Sequence, residues 1–193
     1  MADLISIINP ATEALIQELP TDDRAAVAEK YARARATQPG WAALPLGDRV
    51  KPILRFRDLL IERVDTLAAL LTSETGKPVT QARSEILALP GRIDFFVENA
   101  DRVLVPERVY AEPAGAAPGT GNLEEVIAQE PLGVIANISA WNYPYFVGGN
   151  VFIPALLMGN AVLYKPSEFA TLTGGAIASL LHESGIPENI FIP

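Results

Sequence analysis

The chain has 193 residues, with 23 Asp+Glu against 15 Lys+Arg, one His, no Cys and 49% hydrophobic residues. That apolar content excludes a disordered chain, and the net charge of -8 argues against sequence-independent binding to nucleic acid or an anionic membrane surface. The missing cysteines exclude a disulfide framework, a thiolate metal site and a cysteine nucleophile among these residues. No metal site is expected. No Lys or Arg precedes Arg24, so the basic region of a signal peptide is missing and a cytoplasmic protein is expected. The length fits one domain, or one and a half.

The first hundred residues are predicted to be mostly helical. Thr21-Asp22-Asp23 can cap a helix reaching about Gln38, with Ala25, Ala26, Val27, Tyr31 and Ala34 on its apolar side. Asp48 can cap the next, with Pro52 in or beside its first turn. Val50, Ile53, Leu54, Leu60, Ile61, Val64, Leu67, Ala68 and Leu71 keep a 3.6-residue period until Gly76-Lys77-Pro78 stops it. A third helix starts near Val79 and should break or kink at Pro90-Gly91. Val103-Leu104-Val105 and Glu125-Val126-Ile127-Ala128 are candidate strands, separated by a Gly/Pro/Ala-rich loop over 112–121.

No charged residue occurs between Glu130 and Lys165. Such a run could span a bilayer by length, yet Pro144, Gly148-Gly149, Pro154 and Gly159-Asn160 punctuate it. A βαβ crossover accounts for it better. Val134 to Ile138 reads as a strand, 145–158 as a helix ended by Gly159, and Ala161 to Tyr164 as a second strand. Thr171 to Ser184 then reads as a helix, and Asn189 to Ile192 as a third strand. Three parallel strands with two helices form half of a doubly wound, Rossmann-like sheet, behind an N-terminal helical layer. A chain ending on an uncovered apolar strand is expected to be a piece of a longer one.

The chemistry-bearing residues fall in 138–168. Ile138-Ser139-Ala140-Trp141-Asn142-Tyr143-Pro144 follows the carboxyl end of a strand, where open α/β sheets hold ligands. Asn142 could donate its amide to a developing oxyanion, or simply cap the following helix. At the next strand end, Lys165 and Glu168 could hold a ribose, or be an exposed Lys and a helix cap with Ser167. No Gly-x-Gly-x-x-Gly occurs, so the standard phosphate loop is not available. His182 is expected to be a solvated or core histidine.

Glu130-Pro131-Leu132-Gly133-Val134-Ile135, Trp141-Asn142-Tyr143-Pro144, Pro154-Ala155-Leu156, Gly159-Asn160 and Lys165-Pro166-Ser167-Glu168 together resemble the aldehyde dehydrogenase superfamily. Asn9-Pro10-Ala11-Thr12 and Glu74-Thr75-Gly76-Lys77-Pro78 fit the same pattern, so the resemblance covers essentially the whole chain and roughly the first two-fifths of a family member.

The resemblance implies that Asn142 is the oxyanion-hole amide. Ile138, Ser139, Ala140 and Trp141 would line the cofactor cleft, and Lys165, Ser167 and Glu168 would flank the adenosine ribose of NAD, with NADP accommodated less well. It implies cofactor-domain helices over 1–102, a hairpin arm for homo-oligomer assembly over 103–130, and the first βαβαβ half of the cofactor domain over 131–193. The expected substrate is a small aldehyde, with neither nucleic acid nor membrane as partner.

Two departures matter. Ala140 replaces the family's usual Pro. The family's Cys nucleophile and general-base Glu lie outside this chain, so the chain alone is expected to be inactive and to serve the oxidation of an aldehyde to an acid only within a complete enzyme. The alternative is a non-catalytic nucleotide-binding or assembly module.

Overall fold

A computed structural model describes residues 3–112 and 123–193. Thirteen elements follow in chain order among them: β1 (Leu4–Ile8), β2 (Leu15–Pro20), α1 (Arg24–Ala42), α2 (Leu46–Glu62), α3 (Val64–Thr75), α4 (Val79–Leu104), β3 (Glu107–Ala111), β4 (Glu124–Ile127), β5 (Val134–Ile138), α5 (Pro144–Leu157), β6 (Ala161–Lys165), α6 (Thr171–Glu183) and β7 (Phe191–Ile192). The fold is α/β. β5, β6 and β7 form a parallel sheet in that order, while β1–β2 and β3–β4 are separate antiparallel pairs.

The sheet and the helical layer share one core. Phe56 of α2, Phe152 of α5, Tyr164 of β6 and Phe191 of β7 are fully or almost fully buried. Their rings meet mostly edge-on, with centroids 6.2 Å apart for Phe56–Phe152 and 5.3 Å for Phe152–Phe191. Around them Ile53, Leu60, Leu71, Ile86, Leu89, Ile153 and Leu181 are inaccessible to solvent.

α1 is fixed to the C-terminal end of α5 by polar side chains. Gln38 Nε2 donates to the Gly159 carbonyl at 2.9 Å, and Trp41 Nε1 donates to that of Leu156 at 2.9 Å. Arg49 completes the joint by donating to the carbonyls of Leu157, Ala42 and Leu44. A cation and two donors thereby satisfy carbonyls that helix ends leave open.

Several sequence expectations change. The first twenty residues contain the β1–β2 hairpin, whose turn is built by Asn9: its side chain accepts from the N–H of Ala11 at 2.9 Å and of Thr12 at 3.3 Å. α1 continues past Gln38 through Pro39 and Gly40, because Gln38 and Trp41 dock on α5. Asp48 caps nothing, since its helix starts at Leu46 and Pro52 stands in the second turn. The single periodic run over 48–75 is two helices hinged at Arg63, the apolar period surviving the bend.

α4 runs unbroken through Pro90 because Ile86, Leu89 and Ile93 bury its stripe on both sides of that residue. Val103 and Leu104 therefore belong to that helix, and the strand begins at Glu107. The last strand is only Phe191–Ile192, after a turn in which the Ile190 N–H donates to the Pro187 carbonyl. His182 Nε2 lies 2.8 Å from the Phe191 carbonyl, so this histidine is part of the structure, half-buried beside β7. Most of the predicted Gly/Pro/Ala loop lies outside the described residues.

Candidate active site

β5 and β6 run in parallel register, with Ile138 opposite Lys165 at their carboxyl ends. The Ser139 N–H donates to the Lys165 carbonyl at 3.0 Å, which ties the two strand-end loops together. The candidate site residues lie at these two strand ends and on the loops that follow them, with Ile138 closing β5 and Lys165 closing β6. Ser139 and Ser167 are buried, while Ile138 (77% exposed), Ala140, Trp141, Asn142, Lys165 and Glu168 face solvent.

Lys165 Nζ lies 3.3 Å from Glu168 Oε2, and the Ser167 hydroxyl donates to the same oxygen at 3.3 Å. The backbone N–H of Glu168 and the Lys165 ammonium hold that carboxyl below the usual carboxylate range. It is therefore an ionised acceptor at neutral pH. A carboxylate acceptor beside a cation, flanked by the exposed apolar faces of Ile138 and Phe169, fits the ribose and adenine ring of a nicotinamide dinucleotide.

Asn142 is no helix cap. The N-cap of α5 is Tyr143, which makes no side-chain capping bond, and Pro144 opens the helix. The helix start is satisfied from elsewhere. Glu85 of α4 is buried, and its carboxylate accepts from the N–H groups of Tyr145 at 2.9 Å and Phe146 at 3.4 Å. The Lys77 ammonium pairs with the same carboxylate, donates to the Asn142 carbonyl, and lies 4.0 Å above the Tyr143 ring. Asn142 thus has its peptide held and its amide side chain exposed.

A matching device serves α6. Glu74, buried at the end of α3, accepts from Leu172 N–H at 2.6 Å and from Thr173 N–H and Oγ1 at 2.8 Å each. These carboxylates sit where both the helix dipole and the open N–H groups favour negative charge.

Two depressions are lined by residues of the loop between β5 and α5. One, of about 590 Å³, is lined by residues including Ile5, Pro10, Glu74, Trp141, Glu168 and Phe169. The other, of about 390 Å³, runs between α4 and α5 past Thr80, Gln81, Ser84, Ala88, Tyr143 and Phe146. Trp141 lines the first and Tyr143 the second, and Asn142 lies between these two residues in the chain.

Sequence reasoning passed over Glu74, Lys77 and Glu85 as working residues. Glu85 had a readable signal: a charge on the buried stripe of Ala82, Ile86 and Leu89 needs a partner.

The model of the Aldehyde dehydrogenase family matches residues 2–192. An N-succinylglutamate 5-semialdehyde dehydrogenase of Novosphingobium aromaticivorans is 34% identical over 178 residues, which is 92% of this chain and 36% of that protein. An NADP-dependent glyceraldehyde-3-phosphate dehydrogenase of Bacillus halodurans, solved with NADP, superposes with a TM-score of 0.87 at 29% identity, over 98% of this chain and 39% of the other. An NAD-dependent benzaldehyde dehydrogenase of Corynebacterium glutamicum gives 0.88 at 28% identity, covering 98% and 40%. The chain therefore spans little more than a third of the length of the relatives it matches.

Proposed function

The chain belongs to the aldehyde dehydrogenase family, and on that premise we propose that it supplies the oxyanion amide and part of the cofactor site of an enzyme that oxidises an aldehyde to a carboxylic acid. The observation that carries this reading is the placement of Asn142. Its amide is free of any capping duty, and its peptide is braced by Lys77.

Relatives of this family use NAD or NADP, and this chain's residues fit either. Lys165, Ser167 and Glu168 would hold the cofactor's ribose, and the nicotinamide would supply the hydride acceptor. Asn142 donates a hydrogen bond to the carbonyl oxygen as negative charge develops there, a donor role worth roughly 10²–10³ in turnover. Glu168 accepts from ribose hydroxyls and repels a 2′-phosphate, which favours NAD, while Lys165 and Ser167 temper that preference. Ile138, Ser139, Ala140 and Trp141 line the cofactor cleft. The thiolate nucleophile and the base that activates water for thioester hydrolysis are supplied from outside this chain, which has no cysteine.

The β3–β4 hairpin exposes Val109, Tyr110, Val126 and Ile127, each about half accessible. An isolated two-stranded ribbon is marginal alone, so we assign it to subunit assembly in a homo-oligomer. Several relatives are named for semialdehydes or for an aldehyde bearing phosphate, and a small aldehyde with a remote anionic group is the substrate class proposed here. The test compares the 193-residue chain with a complete enzyme carrying it. The complete enzyme should reduce NAD with an aldehyde and the chain alone should not. Turnover by the purified chain, or none by the complete enzyme with any aldehyde, would defeat the reading.

A further inference from the structure

The turn between α3 and α4 reaches both loops of the candidate site. Gly76 closes α3 at a φ of 74°, where an added Cβ would stand 3.1 Å from Pro10 Cγ. This left-handed residue redirects the chain, so the charged side chains before and after it reach different helices.

Glu74, before the turn, accepts from the N–H groups of Leu172 and Thr173 at the start of α6. Thr171, the first residue of that helix, donates its hydroxyl to the Ser167 carbonyl at 3.2 Å. The carboxylate thereby acts on the loop that carries Ser167 and Glu168. Lys77, after the turn, donates to the Asn142 carbonyl and pairs with Glu85, which holds the first N–H groups of α5. Where they leave the sheet, the same two loops are joined by the bond from the Ser139 N–H to the Lys165 carbonyl. Both charges are withdrawn from solvent: Glu74 is buried and the Lys77 side chain is 12% exposed. Buried charges are costly away from their partners, so each side chain is confined to one arrangement.

We propose that this turn sets the distance between the oxyanion amide and the cofactor ribose, with Lys77 and Glu74 as the positioning residue of each. The inference rests on the roles given to Asn142 and Glu168 above. Lys77 acts through the Asn142 peptide, and Glu74 acts through the start of α6. A misplacement of about 1 Å at a reacting group is worth roughly 10²-fold in rate, so the two arms should fail in different kinetic constants.

The test is made in a complete enzyme carrying this chain. Lys77→Met should lower kcat by about 10- to 100-fold and leave KM for NAD within about twofold. Lys77→Arg, which keeps the charge and a donor, should recover most of the loss. Glu74→Gln should show the opposite split, with KM for NAD raised by about 3- to 10-fold and kcat within about threefold. A double-mutant cycle separates positioning from general damage. On an Asn142→Ala background, Lys77→Met should cost less than about twofold, because the group it positions is gone. Equal losses on both backgrounds, a parental kcat for Lys77→Met, or a parental KM for Glu74→Gln would overturn the proposal and leave the oxyanion role standing. An Asn142→Ala enzyme at the parental rate would instead overturn the oxyanion role, and the proposal with it. A second measurement covers a Lys77→Met protein that does not fold. In the 193-residue chain, Lys77→Gln should shift the Asn142 side-chain amide resonances, and resonances that stay in place would overturn the role of Lys77.

Discussion

The buried carboxylate of Glu85 accepts the backbone N–H of Tyr145 at 2.9 Å, across sixty residues of sequence. Through Lys77 the same carboxylate is linked to the Asn142 carbonyl, so one side chain of α4 fixes both the start of α5 and the loop before it. Glu85→Ala leaves the Lys77 charge and two helix N–H groups without their partner. We expect a loss of about 3–5 kcal/mol in urea unfolding of the chain, against about 1–3 for Glu85→Gln, which keeps an acceptor. A Glu85→Ala protein as stable as the parent would show that the carboxylate is not the brace.

Glu74 does the same for α6. Glu74→Ala should cost about 1–3 kcal/mol and speed hydrogen exchange at the Leu172 and Thr173 amides ahead of the rest of α6. Unchanged exchange at those two amides would remove Glu74 from the role.

The seam between α4 and α5 gives a prediction with opposite signs at two glycines. Gly149→Ala presses a methyl group into Leu89 and should destabilise by about 1–3 kcal/mol. At Gly175, an exposed position within α6, nothing lies within 4 Å of an added Cβ. There the same substitution should stabilise by up to about 1 kcal/mol through helix propensity. Thermal unfolding of the two variants side by side decides it, and a gain at Gly149 would mean the helices do not approach so closely.

How far the sequence carried this picture differs from segment to segment. The βαβ crossover was legible because β5 and β6 are short apolar runs preceded by Gly133 and Gly159, both at positive φ, although only β6 is mostly buried. The placement of Asn142, Lys165 and Glu168 at strand ends followed from that crossover. Between Arg49 and Leu71 the periodicity was right but the division at Arg63 was invisible, since a hinge that preserves the apolar face leaves no trace in the pattern. Pro90 misled for the opposite reason: a local helix breaker is overridden when Ile86, Leu89 and Ile93 are all buried. The Glu74 and Glu85 caps act between elements far apart in the chain, so no local capping rule could find their partners.

Glu168 tests the cofactor assignment independently of the oxyanion. In a complete enzyme, Glu168→Ala removes an acceptor for ribose hydroxyls and a charge that repels a 2′-phosphate. The ratio of kcat/KM with NAD to that with NADP should fall by about tenfold. An unchanged ratio would place the ribose elsewhere.

The central claim is that Asn142 acts on the developing oxyanion and not on the fold, and Asn142→Asp in a complete enzyme separates the two. An Asp is as good a helix-start residue as Asn, so a structural role would survive the change. Its charge facing the oxyanion would not be tolerated in catalysis. We expect an unfolding midpoint shifted by no more than about 0.5 kcal/mol and turnover lost, with Asn142→Ala slower by roughly 10²–10³ at similar stability. An Asn142→Asp enzyme that folds and oxidises aldehydes at the parent rate would contradict the account.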